Sequence, residues 1–141
     1  MKFPRVLFAA PVLALAACAP AAPTTKPPLP PAPPSGAALA SGDCFRSHDI
    51  RGHTVGDAQT LFLRVNRGDV YRVTMSSACL AGAISSDAII TRQPPGSSIV
   101  CRPIDLDIGI TKSGFESRCI VDSLAKLSPA EVEALPRKLR P

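Results

Sequence analysis

The stretch that decides the fold is TLFLRVNRGDVYRVTM, residues 60–75. Thr60 to Val65 sets Leu61, Leu63 and Val65 on one side of an extended chain and Thr60, Phe62 and Arg64 on the other. Val70 to Met75 does the same with Tyr71, Val73 and Met75 against Val70, Arg72 and Thr74. An apolar period of two, rich in β-branched and aromatic residues, specifies strands, because successive side chains of a strand point to opposite faces. Asn66-Arg67-Gly68-Asp69 separates the two runs, and glycine supplies the positive φ that a tight turn needs. A β-hairpin is therefore the centre from which the rest is read.

Downstream, Ala88 to Arg92 and Ser97 to Cys101 predict a second hairpin, joined by Gln93-Pro94-Pro95-Gly96, since proline stops both strands from continuing. Asp105 to Ile110 alternates again, with Leu106, Ile108 and Ile110 opposite Asp105, Asp107 and Gly109. Lys112-Ser113-Gly114 then turns the chain into a strand over Ser117 to Val121. With a short early strand between Cys44 and Ile50, six or seven strands follow at close spacing. The expected fold class is mainly β, a small antiparallel barrel or curled sheet. The pattern changes at LSPAEVEALP, residues 127–136. Ser128 as N-cap, Pro129 at the first helical position, Glu131 completing a capping box and Leu127 stapling onto Val132 predict one short C-terminal helix, ended before Pro136.

Upstream of the domain, eight of the residues from Ala19 to Gly36 are proline. Proline fixes φ and lacks the backbone N–H, so this segment reads as an extended spacer. Ahead of it, Lys2 and Arg5 precede an apolar run from Val6 to Ala17, the layout of an export signal. The run is shorter than the roughly 20 residues a membrane-spanning helix needs. The division is a signal segment at 1–17, a tether at 18–42 and a domain at 43–141. Leu15-Ala16-Ala17-Cys18 resembles the lipobox of bacterial lipoprotein precursors, in which the cysteine carries the lipid and becomes the first residue of the mature chain. The resemblance implies lipidation at Cys18 and a membrane attachment. Ala19, in place of an aspartate, implies outer-membrane placement facing the periplasm.

The remaining cysteines, Cys44, Cys79, Cys101 and Cys119, are even in number, which in an oxidising compartment predicts two disulfides. Three pairings are open; Cys79 with Cys101 and Cys44 with Cys119 is preferred, as tying the second hairpin to the loop before it and the first strand to the last. The order of Cys44, VYRVT at 70–74, Cys79, Cys101 before DLDIGI, and Cys119 ahead of LSPAEVEAL resembles a family of small proteobacterial lipoprotein domains of unknown function, and implies no mechanism.

Few residues suggest chemistry. His48, Asp49 and His53 are of metal-ligating type, although Gly52 between them favours a strand and turn. Asp105 and Asp107 share a strand face and are of the type that forms acid/base or cation sites. Paired serines occur without the glycine-flanked elbow of a nucleophile, so no catalytic residue is assigned and no cofactor is expected. Removing Lys2, Arg5 and Lys26 from the sixteen basic residues leaves thirteen against eleven acidic ones, too balanced for a nucleic-acid binder. The expected function is a non-enzymatic binding or envelope-assembly module with a possible envelope protein as partner. The alternatives are a small periplasmic hydrolase or metal-binding protein, and an inhibitor of an envelope enzyme.

Overall fold

A computed structural model describes residues 31–66, 68–93, 96–112 and 114–141. The signal segment, Cys18 and the tether as far as Pro30 lie outside the described residues, as do Arg67, Pro94, Pro95 and Ser113 within expected turns. The strands are β1 (Phe45–Arg46), β2 (Ile50–Val55), β3 (Thr60–Val65), β4 (Asp69–Met75), β5 (Ala88–Arg92), β6 (Ile99–Val100), β7 (Asp107–Lys112), β8 (Phe115–Cys119) and β9 (Val121–Lys126). They are followed by the helix α1 (Pro129–Ala134).

The hairpin of β3 and β4 forms as the alternation requires, with Leu63 opposite Tyr71 and Leu61 opposite Val73. Asn66 and Gly68 take positive φ in its turn. It is the middle of a four-stranded antiparallel sheet ordered β2-β3-β4-β9. Leu61, Leu63, Val65, Tyr71, Val73 and Met75 enter the main core, where they meet Phe45, Val100, Ile108, Ile110 and Leu124. Each such large apolar side chain contributes about 1.5–3 kcal/mol on burial. The opposite face is also covered: Phe62 and Val70 pack with Leu127, Leu135 and Leu139, so the C-terminal segment closes a second, smaller core. Ser128 accepts from the Glu131 backbone and Glu131 reaches back to Ser128, as the capping box predicts, and Leu127 and Val132 share that core.

The fold is mainly β and antiparallel, but it does not close into a barrel. A three-stranded sheet, β5-β7-β8, and a pair, β1-β6, stand beside the four-stranded one. The chain changes sheet at Ile120, since β8 pairs with β7 while β9 pairs with β4. The predicted second hairpin is corrected. β5 pairs with β7, Ile89 facing Ile110 and Thr91 facing Ile108, because that ladder offers five residue pairs and two buried isoleucines. β6 has only two residues and pairs with β1. Asp105 is not in a strand; Pro103–Asp105 forms a 3-10 turn and β7 starts at Asp107.

The two disulfides are present with a pairing other than the preferred one: Cys44 with Cys101 and Cys79 with Cys119. Phe45 is in register with Val100, and one step further along an antiparallel pair brings Cys44 opposite Cys101. Met75 is in register with Val121, and the Ser76 amide donates to the Ile120 carbonyl, so the chain leaving β4 passes Cys119.

The chain is fastened to the domain ahead of Asp43. Ser35 Oγ donates to Asp122 Oδ1 (2.6 Å), the Gly36 amide to the Asp122 carbonyl, the Leu124 amide to the Ala37 carbonyl, and the Leu39 amide to the Cys101 carbonyl. Lys126 then pairs with Asp43 at 3.2 Å. Residues 35–43 thus run along the outer edge of β9 and cover it. Asp122 is the extra residue of a β-bulge, the register shifting between Thr74 and Met75.

Candidate functional site

Where β8 turns into β9, the chain leaves a groove of about 760 Å³. It is lined by Arg92 and Gln93 from the end of β5, Pro103 and Ile104 from the 3-10 turn, Leu106 and Asp107, and Arg118 to Val121. Leu106, Cys119 and Val121 belong to the main core and make the floor. Ile104 and Ile120 stand on the rim, 76 % and 74 % exposed. Singly exposed aliphatic side chains are ordinary on a protein surface, but two of them lining one concavity mark a candidate binding patch.

The rim is held in place locally. The amides of Cys101 and Arg102 donate to Asp105 Oδ2 (3.2 and 2.9 Å), and Arg102 Nη2 to Asp105 Oδ1 (3.0 Å). The Arg102 guanidinium, chiefly, together with these amides holds the Asp105 carboxyl below its ordinary range. This network pins the turn that carries Ile104. On the other rim, the Cys79–Cys119 bridge anchors the residue before Ile120.

One wall is a grid of charges. Arg92 pairs with Glu116 across β7, and Arg118 pairs with Asp107. The Glu116 carboxylate keeps Arg92 protonated above its ordinary value. The crossing is possible because Gly109 lies between them in register, opposite Ile90 and Arg118. The wall is polar and close to neutral, its charges paired with one another, although Arg92 Nη1 is buried without a hydrogen-bond partner among the described residues.

The residues read from sequence as candidates do not converge. His48 Nε2 lies 3.8 Å from Asp49 Oδ1 on an exposed 3-10 turn, whereas His53, on β2, places Nε2 2.9 Å from the Asp87 carbonyl. Among the described residues no three or more His, Cys, Asp or Glu side chains are grouped to hold a metal ion. Asp105 and Asp107 are not a pair either; each is taken by its own arginine. Cys44, Cys79, Cys101 and Cys119 are all in disulfides, which leaves no thiolate for nucleophilic chemistry among the described residues. Sequence reasoning missed the groove: Ile104 falls in no periodic pattern, and the strand expected over Ser117 to Val121 breaks at Ile120 into β8 and β9, so the exposure of both follows from a turn and a sheet-to-sheet corner that only the tertiary pairing creates. Such a surface can bind, by burying its isoleucines and orienting a ligand against the charged wall.

Compared with known protein families, residues 1–141 match a family described as a family of unknown function (DUF6491). No curated protein and no solved structure matches.

Proposed function

The chain belongs to the DUF6491 family of unknown function, and from that membership, which brings no activity with it, we propose a lipid-anchored binding module of the bacterial envelope. Cys18 carries the lipid, the proline-rich segment spaces the domain from the outer membrane on its periplasmic side, and the groove between Ile104 and Ile120 receives an apolar segment of an envelope protein. The observation that carries the binding role is that two exposed isoleucines, Ile104 and Ile120, line one groove together with the buried Leu106, Cys119 and Val121. The wall's ion-paired groups supply orientation instead of acid/base chemistry. The export signal, the Leu15-Ala16-Ala17-Cys18 run and the two disulfides support the address, because disulfides persist where thiols are oxidised.

Two experiments test the reading. Labelled palmitate is incorporated by the wild-type chain and lost in Cys18→Ala; equal labelling of both removes the anchor. A photocrosslinker replacing Ile104 in living cells gives a discrete adduct that Ile120→Asp abolishes, while the same probe at Ile84, exposed elsewhere on the surface, gives none. Matching adducts from both positions would mean general stickiness and defeat the groove.

A further inference from the structure

The three-stranded sheet ends on β8, and the outer edge of that strand is open. Phe115 to Arg118 are exposed, and among the described residues β8 pairs only with β7. The β7–β8 hairpin closes on Lys112 and Phe115 across two residues, which makes that a hydrogen-bonded pair. Alternation then makes Ile110–Ser117 and Ile108–Cys119 bonded pairs as well. The N–H and C=O of Glu116 and Arg118 therefore turn outward, and among the described residues no backbone hydrogen bond outside the strand ladders reaches them. Open edges are ordinarily guarded by standing charges, prolines or bulges. Here the two charges of β8 are drawn back over their own sheet by Arg92 and Asp107, the ladder with β7 runs without a register shift, and Phe115 is 80 % exposed at one end. The edge of β9, by contrast, is covered by residues 35–43.

We propose that this edge pairs antiparallel with β8 of a second copy of the chain, about a two-fold axis through Ser117. Only outward-turned residues can bond across such an interface, so the axis must pass through Glu116, Ser117 or Arg118. An axis at Glu116 faces carboxylate with carboxylate, and one at Arg118 faces guanidinium with guanidinium; like charges directly opposite destabilise a strand pair. The axis at Ser117 sets Glu116 of each copy opposite Arg118 of the other. Backbone parity and charge complementarity thus select the same register. Four backbone hydrogen bonds form, the exposed Phe115 lands opposite Cys119 of the second copy, and two three-stranded sheets become one of six strands. The interface is isologous, as closed dimers require; it does not involve the lipid anchor, and it adjoins the groove, since Arg118 belongs to both.

The test uses the full chain in density-matched detergent by sedimentation. The wild type sediments as a dimer. Glu116→Pro removes an outward N–H without touching the bonds to β7, and sediments as a monomer with its melting temperature close to wild type. Glu116→Arg, which faces two cations across the axis, weakens self-association about tenfold or more, and adding Arg118→Glu restores it. At the axis the two Ser117 Cα atoms stand about 4.5 Å apart, within disulfide range, so Ser117→Cys gives a covalent dimer on oxidation while the exposed Ser97→Cys does not. A wild type that is monomeric at every concentration, a dimer unaffected by both Glu116 substitutions, or equal crosslinking from Ser97 and Ser117 overturns the proposal.

Discussion

At Gly109 the missing side chain is what lets Arg92 and Glu116 meet across β7. A Cβ there would stand 2.5 Å from Glu116 Oε1 and 3.3 Å from Arg92 Nη1. Both obstacles are the far ends of flexible side chains, so Gly109→Ala parts the ion pair at little change in melting temperature, while the salt dependence of unfolding falls. Gly56 is the contrasting case. A Cβ there meets Phe62 Cε2 at 2.9 Å and the Thr60 carbonyl at 3.3 Å, a fully buried ring and a backbone atom, neither of which can swing away. Gly56→Ala is expected to destabilise by about 1–3 kcal/mol, the range of an overpacked core, read by denaturant unfolding; a neutral result would show that β2 and β3 have room to part. Individual titrations set the pH window. Asp105, held down chiefly by Arg102, and Glu131, held down chiefly by the Ser128 side chain, have folded values below their ordinary 3.8 and 4.5. Their stabilisation is present above those values and is lost as pH falls through the folded ones. Tyr71, raised mainly by burial, and Lys126, raised chiefly by Asp43, act in the opposite sense: their stabilisation is complete below the ordinary 10.0 and 10.5 and is lost as pH rises through the folded values. Thermal unfolding is therefore expected to decline on the acid side below the carboxylate range and on the alkaline side above about pH 10. Asp105→Asn should shallow the acid limb alone; a change in the alkaline limb would contradict the assignment.

Among the elements, α1 has the clearest local cause. Its capping box satisfies two backbone donors, so Ser128→Ala costs about 1 kcal/mol and, by loosening the helix, exposes Phe62 and Val70 beneath it. Faster amide exchange over residues 129–135 with β3 unchanged is the expected signature; loss of both together would mean that the helix and sheet unfold as one unit. This helix and the β3–β4 hairpin were legible in the sequence because all their information is local: a cap, a turn and an unbroken period. β9 was not, for a physical reason. The bulge at Asp122 shifts its phase, so that Val121 and Leu124, three apart, both reach the core and no period of two survives. The partner of β5 was misread because hairpin logic favours the nearest strand, whereas β7 offers a longer apolar ladder than the two residues of β6. The same error displaced the disulfides, since Cys101 follows β6 to β1 and Cys44. The groove inherits both illegibilities, being built where β5, β7 and the β8–β9 corner meet.

In the molecule as a whole, the two disulfides interlock. The bridge between Cys44 and Cys101 closes 57 positions and that between Cys79 and Cys119 closes 40, and each loop contains one cysteine of the other. The chain from Cys79 to Cys101, with β5 and β6, is therefore constrained twice. Restricting an unfolded chain over loops of that length contributes about 4 kcal/mol per bridge, against a total of about 5–15 kcal/mol for a domain of this kind. Losing either bridge should leave a folded protein, and losing both should not. The two losses also differ in place. Cys44→Ala with Cys101→Ala frees the end of β1 and the Leu39–Cys101 contact, so amide exchange is expected to rise at Leu39 and at Leu124, whose partner Ala37 belongs to the released segment. Cys79→Ala with Cys119→Ala frees the groove floor, so exchange rises at Ser76, which donates to Ile120, and any ligand of the groove weakens while the lead-in stays docked. If both paired variants instead loosened the same amides, the bridges would be acting only on the unfolded chain. A chain lacking all four cysteines that still unfolded cooperatively near the wild-type temperature would show that the cores of β3 and β4 suffice without them.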